Sequence, residues 1–212
     1  MKILNWRTLL GIGLLLLGAV ALLQQLNVFG PQSSLPGLLF AALFAFGGIV
    51  FLGVLIADRS QWWAVIPGLT LLSLGVLIAL GELAPSLARF GGTIFLAGLG
   101  LSFCLVYLLA RGNWWAIIPG GTLLTLAVVA GVPESGGLQI GGVFFLGLAL
   151  TFAILGLIRV GDEHMRWPWI PAGILALIGV GVAISSEGWV NYLWPVALIV
   201  FGGYLVVRAV RK

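Results

Sequence analysis

WWAVIPG, from Trp62 to Gly68, returns as WWAIIPG from Trp114 to Gly120, and a looser copy, WPWIPAG, runs from Trp167 to Gly173. Each phrase joins bulky aromatic residues to a proline and a glycine, and each opens a long apolar run. Trp favours the membrane–water interface, where its ring stays apolar while its N–H meets water or headgroups. Pro is favoured in the first turn of a helix, where an N–H would go unpaired. The phrase therefore marks the interfacial start of a transmembrane helix, anchored by Trp62 with Trp63, Trp114 with Trp115, and Trp167 with Trp169. Pro67, Pro119 and Pro171 either begin the regular helix or kink it one turn in.

Composition points to the same solvent. Of 212 residues, 61% are hydrophobic and 8% are charged, whereas ordinary soluble domains carry roughly 25% charged residues. A soluble fold of this size has no interior large enough for that apolar surface. The chain reads as a single all-α membrane domain over 1–212. Net charge is +4, but the ten Lys and Arg lie singly between apolar runs, so there is no phosphate-tracking stripe and nucleic acid is not an expected partner. Cys104 is the one cysteine, which forbids an intrachain disulfide, and its apolar surroundings suit an inert packing residue.

A helix needs about 20 mostly apolar residues to cross the hydrocarbon core. Reading between turn signals gives eight: Thr8–Leu26, Leu35–Ile56, Trp62–Leu80, Phe90–Ala110, Trp114–Val132, Leu138–Ile158, Trp167–Ile184 and Val190–Val207. Their uninterrupted character suits helices, since lipid satisfies no free backbone group, and lacks the alternation of barrel strands. In the first segment, Lys2 and Arg7 precede the apolar run and Ala19-Val20-Ala21 resembles a signal-peptide cleavage site. Leu22 and Leu23 continue the run past that site, so a retained helix is expected.

With the N-terminus in the cytoplasm and the spans alternating, Lys2, Arg7, Arg59, Arg111, Arg159, Arg166, Arg208, Arg211 and Lys212 fall inside and Arg89 alone falls outside. That bias follows the positive-inside rule and puts both termini on the cytoplasmic side of a cell membrane, read as a bacterial inner membrane. Glu82, Glu134 and Glu187 mark three outer turns. Asp58, Asp162 and Glu163 lie inside as solvated loop charge.

The Trp phrases recur at 52 and 53 residues, counted from Trp62 to Trp114 to Trp167, and the outer glutamates recur at the same intervals. Two landmarks with one period indicate duplication, with Trp6 as a degraded first copy. Four tandem helical hairpins result, approximately 6–58, 59–111, 112–163 and 164–212. Each enters from the same face, so rotation about the membrane normal relates them, not inversion. They could close into a ring or pair into two halves. The 32 glycines favour close helix packing; flexible or broken helices around a transport site are the alternative.

Chemistry-bearing groups are scarce. None of the eight spans carries an ionisable residue near its middle, where a proton relay or charged pathway would leave one. Thr70, Ser73, Thr93, Ser102, Tyr107, Thr122, Thr125, Thr151 and Tyr204 are mild polar groups, and helical hydroxyls commonly bond back to their own backbone. His164 stands with Asp162 and Glu163, but no second His or Cys completes a typical metal site. No catalytic residue, metal site or cofactor is expected.

The segments Trp194-Pro195-Val196-Ala197-Leu198-Ile199 and Trp114-Trp115-Ala116-Ile117-Ile118-Pro119-Gly120 resemble the Trp-Pro-apolar-Gly helices of LiaF-type bacterial membrane regulators, which restrain cell-envelope stress signalling. The resemblance covers short pieces of single helices and implies a helical membrane region. Such regulators also carry a soluble C-terminal domain, whereas these residues run to Arg211-Lys212, and no functional residue is carried over. The sequence thus predicts a non-enzymatic accessory, scaffold or regulatory partner of membrane proteins or lipids, with self-association among the possible contacts. Its candidate lipid or partner contacts are Trp62, Trp63, Trp114, Trp115, Trp167 and Trp169. The competing expectation is a transporter or channel for a neutral or apolar solute, and a cofactor-bearing membrane enzyme is a third.

Overall fold

The structure is a computed structural model and describes residues 6–26, 28, 30, 33–132, 140–160, 163–184, 198, 199, 202 and 208. The fold is helical. In chain order come α1 (Trp6–Gln25), α2 (Leu35–Ala57), α3 (Val65–Leu83), α4 (Gly91–Leu109), α5 (Ile117–Gly131), α6 (Ile140–Leu157) and α7 (Trp169–Ile184). Short 3-10 turns at Trp62–Ala64, Pro85–Phe90 and Trp114–Ala116 lead directly into α3, α4 and α5. A minimal antiparallel pairing, β1 (Arg159–Val160) with β2 (Glu163–His164), fills the connection between α6 and α7.

Among the described residues, five helices are long and apolar enough to cross a membrane: Leu35–Ala57, Trp62–Leu83, Ala88–Leu109, Trp114–Gly131 and Ile140–Leu157. At 1.5 Å per residue, an 18-residue helix reaches about 27 Å and a 23-residue helix about 35 Å, which brackets the hydrocarbon thickness. Two further apolar helical segments are Gly11–Gln25, within α1, and Trp169–Ala183, within α7. The expected eighth span, Val190–Val207, lies almost wholly outside the described residues.

Large apolar side chains point outward along these helices. Ile49, Leu101, Leu150 and Leu177 are all at least half exposed, as lipid-facing residues are. The helices pack mainly with their neighbours in the chain. Among the described residues, the extensive contacts are α2 with α3, α6 with α7, α4 with α5, and α3 with α4, while α1 touches α2 lightly.

Glycines set the distance of approach. A methyl group at Gly48 would lie 2.7 Å from the Gly68 carbonyl oxygen, and one at Gly100 would lie 3.0 Å from the Gly120 carbonyl oxygen. Each pair joins the two helices flanking a Trp turn, and the second pair lies 52 residues beyond the first. Between α3 and α4, Gly98 faces Ser73; between α5 and α6, Gly147 faces Thr125. Small residues in this role let backbones meet where lipid gives no hydrophobic drive to associate.

Candidate functional site

The two WW phrases form one structure built twice. In the first, the Asp58 N–H donates to Val54 O at 3.0 Å, Gln61 N–H to Asp58 O at 3.0 Å, and Ala64 N–H to Gln61 O at 3.0 Å. In the second, Ala110 N–H donates to Val106 O at 3.0 Å, Asn113 N–H to Ala110 O at 2.8 Å, and Ala116 N–H to Asn113 O at 3.0 Å. Gln61 adopts φ −83°, ψ 44° and Asn113 adopts φ −86°, ψ 47°. Pro67 and Pro119 are each the third residue of the α-helix that follows. Helical N–H groups there have no intrahelical acceptor, so each proline begins the regular helix. Pro171 is likewise the third residue of α7.

Within each pair the two tryptophans part company. Trp62 is partly buried against a core of Val65, Val106 and Ala116, together with Leu52, Leu55, Ile66, Phe103 and Tyr107. That cluster draws on both turns and on α2 and α4, so the first turn is wedged against the second. Trp114 is also partly buried. Trp63 and Trp115 face outward, at 46% and 41% exposed. Their N–H groups are held within the turn: Trp63 Nε1 donates to Gln61 Oε1 at 2.7 Å, and Trp115 Nε1 to Asn113 Oδ1 at 3.3 Å.

Each outward ring meets a phenylalanine from the preceding helix edge-on. Phe51 and Trp63 have ring centroids 6.2 Å apart at 75°, Phe103 and Trp115 6.3 Å apart at 74°, and Phe152 and Trp167 6.2 Å apart at 74°. Such edge-to-face pairs suit the opposite charges of ring face and ring edge. The third pair sets the register. Trp167 is equivalent to Trp63 and Trp115, the outward ring of each earlier phrase, at intervals of 52 residues. Ala64, Ala116 and Pro168, each buried and one residue further on, follow the same interval. Sequence spacing alone had set Trp167 beside Trp114, one residue out. Trp169 is exposed on a different position of α7, close against Gly156 of α6.

The phenylalanines and the Gln61 and Asn113 acceptors escaped the sequence reading. Phe51 and Phe103 share the 52-residue interval, which was available as a signal, but phenylalanine in an apolar helix has an ordinary packing role.

The polar groups around the turns differ. Asp58 accepts from Ser60 N–H at 2.9 Å and from Gln61 Nε2 at 3.3 Å. These bonds, Ser60 foremost, hold its carboxyl below the usual carboxylate range. The second turn has Ala110 at that position. It has instead Arg111, whose guanidinium lies 5.0 Å from the centroid of the Tyr107 ring and whose Nη1 donates to Tyr107 Oη at 3.2 Å. Arg59, Arg111 and Arg166 are all exposed.

At the opposite end, Glu82 lies close against Gly37 in the first turn of α2, and Arg89 stacks on Phe90 at 4.7 Å. Glu134, Glu187 and Asp162 fall outside the described residues, as does Tyr204. Glu163 and His164 are described only as backbone in β2. Within the helices, Thr70, Ser73, Ser102, Thr122 and Thr151 each donate to a carbonyl three or four residues earlier in their own helix, at 2.6 to 3.0 Å. Thr93 Oγ1 is buried without a hydrogen-bond partner. Cys104 is partly buried in α4 against Gly120.

No protein-family model, curated protein or solved structure matches the chain. What the turns can do therefore rests on their geometry: they offer an exposed indole, an apolar flank and an arginine at one end of the helices, and no reactive group.

Proposed function

We propose that this chain is a non-enzymatic, multi-pass membrane protein that acts through its lipid-facing surface, as an accessory, scaffold or regulatory partner of membrane proteins or lipids. On this reading it has eight spans in four hairpins, 6–58, 59–111, 112–163 and 164–212, with both termini on the cytoplasmic side of a bacterial inner membrane. The observation that carries the proposal is the threefold Trp–Phe pair. A single interfacial device is built three times at one end, while five hydroxyls within the helices, those of Thr70, Ser73, Ser102, Thr122 and Thr151, are bonded to their own backbone and that of Thr93 is buried without a partner.

A transport pathway needs polar groups turned toward a solute or ion. The engaged hydroxyls of Thr70, Ser73, Ser102, Thr122 and Thr151 count against that reading. The test is reconstitution of the full chain into sealed vesicles with flux assays for glycerol, small amides and apolar dyes. Leakage should equal that of protein-free vesicles. Saturable movement of any of these solutes would overturn the proposal in favour of a neutral-solute transporter.

A further inference from the structure

The second Trp turn carries a positioned cation that no carboxylate pairs with among the described residues. Arg111 follows the end of α4, and its guanidinium is held by stacking on Tyr107 and by the bond to Tyr107 Oη. Tyr107 thus restricts the guanidinium without neutralising it. Phe103, one turn before Tyr107 on α4, pairs with the outward ring of Trp115, and Leu108 and Leu109, which follow Tyr107 in the chain, are 54% and 43% exposed. The patch is apolar on the side of the helix and cationic at its tip.

We propose that this patch is a binding site for an anionic phospholipid, with the headgroup phosphate on Arg111 and the acyl chains along Leu108, Leu109 and the Trp115–Phe103 pair. A guanidinium forms strong charge-assisted bonds to phosphate oxygens, and immobilising it beforehand lowers the ordering cost of binding. A free phosphate would leave the flanking leucines and indole unused. The proposal deepens the membrane-surface reading of function by naming the lipid class.

The first turn is an internal control. It has the same backbone and the same Trp–Phe pair, with Arg59 in the place of Arg111. It differs in having Leu55 where the second has Tyr107, and it carries the Asp58 carboxylate beside its arginine. Among the described residues Arg59 likewise pairs with no carboxylate, but no ring holds it, so the anionic lipid should prefer the second turn.

The experiment uses the full-length protein in a neutral detergent, titrated with phosphatidylglycerol or phosphatidylcholine and read by native mass spectrometry. Phosphatidylglycerol should be retained in preference to phosphatidylcholine. Arg111→Gln should weaken its retention about fivefold, the attraction of roughly 1 kcal/mol that one basic residue feels at an anionic leaflet. Arg59→Gln should weaken it less than about twofold, since no ring holds Arg59 ready for a phosphate. Arg111→Lys keeps the charge but loses the stacked fork, so its retention should fall between those of the parent protein and Arg111→Gln. Equal losses from Arg59→Gln and Arg111→Gln, no loss from either, or an Arg111→Lys variant indistinguishable from the parent protein would overturn the site. So would protection of the site by inorganic phosphate at the lipid's concentration. Solute flux in vesicles would sink the functional reading above while leaving this lipid site intact, so the two fail separately.

Discussion

The turns at 58–64 and 110–116 follow one backbone path with different polar side chains. Their hydrogen bonds match partner for partner, their outward tryptophans meet a phenylalanine at almost the same angle, and their glycine pairs sit in the same register. Yet one turn closes on an aspartate and the other presents an arginine held by a tyrosine. Apolar, aromatic and glycine positions determine the shape, because they decide how closely the flanking helices meet and how deep the turn lies. The polar positions at 58, 59 and 111 are exposed, and they differ between the copies without altering the shared path.

The largest expected effect breaks what the two turns share. Leucine at Gly48 or Gly100 must displace backbone atoms of the facing helix, and overpacking of this kind costs typically 1–3 kcal/mol. Gly48→Leu should cost more than Gly100→Leu, since the facing carbonyl is nearer. Gly53 has open space around its Cα, and Gly53→Leu should stay within about 0.5 kcal/mol, as surface changes do. Thermal unfolding in detergent reads all three. A silent Gly100→Leu would mean that the second turn keeps its shape without the close approach.

Next in size are the aromatic pairs. Trp63→Leu and Trp115→Leu each remove an edge-to-face contact worth about 0.5–1.5 kcal/mol beyond buried area. The two losses should be similar in the same unfolding assay, with Trp63 slightly the larger because its indole N–H bond is the shorter. A cost confined to one of them would show that the shared geometry hides unequal roles.

Much of this was legible in the residues. Trp, Pro and Gly marked the helix starts, and the apolar runs located five long helices. The third copy was harder. WPWIPAG holds two tryptophans with a proline between them, so counting tryptophans alone aligns the wrong one. The prolines at 67, 119 and 171 keep a constant 52-residue interval and hold the register that the ring geometry supports. The connection from Ile158 to Pro168 is also longer than the earlier turns and contains a β pairing, which disguises the equivalence. The Tyr107–Arg111 contact could be anticipated only as an i, i+4 spacing, and nothing in the letters shows that the arginine turns back onto the ring.

The smallest expected effect separates the turns by pH. Asp58 is fully exposed, and its carboxylate accepts from Ser60 and Gln61, which lowers its proton affinity in the folded turn. A depressed folded pKa means the ionised form supports the turn above the ordinary carboxylate range. That support fades as pH falls through the depressed folded value. The second turn has Ala110 in this place and nothing to titrate. Amide signals of Ser60 should therefore move with acidification while those of Gly112, at the same position of the second turn, stay still. Asp58→Asn should make the Ser60 response as flat as that of Gly112. If both amides move together in the parent protein, acid is acting on the whole Trp-bearing end and the turns are not independent. If only Ser60 moves, polar side chains tune single turns on a scaffold that the apolar residues hold constant.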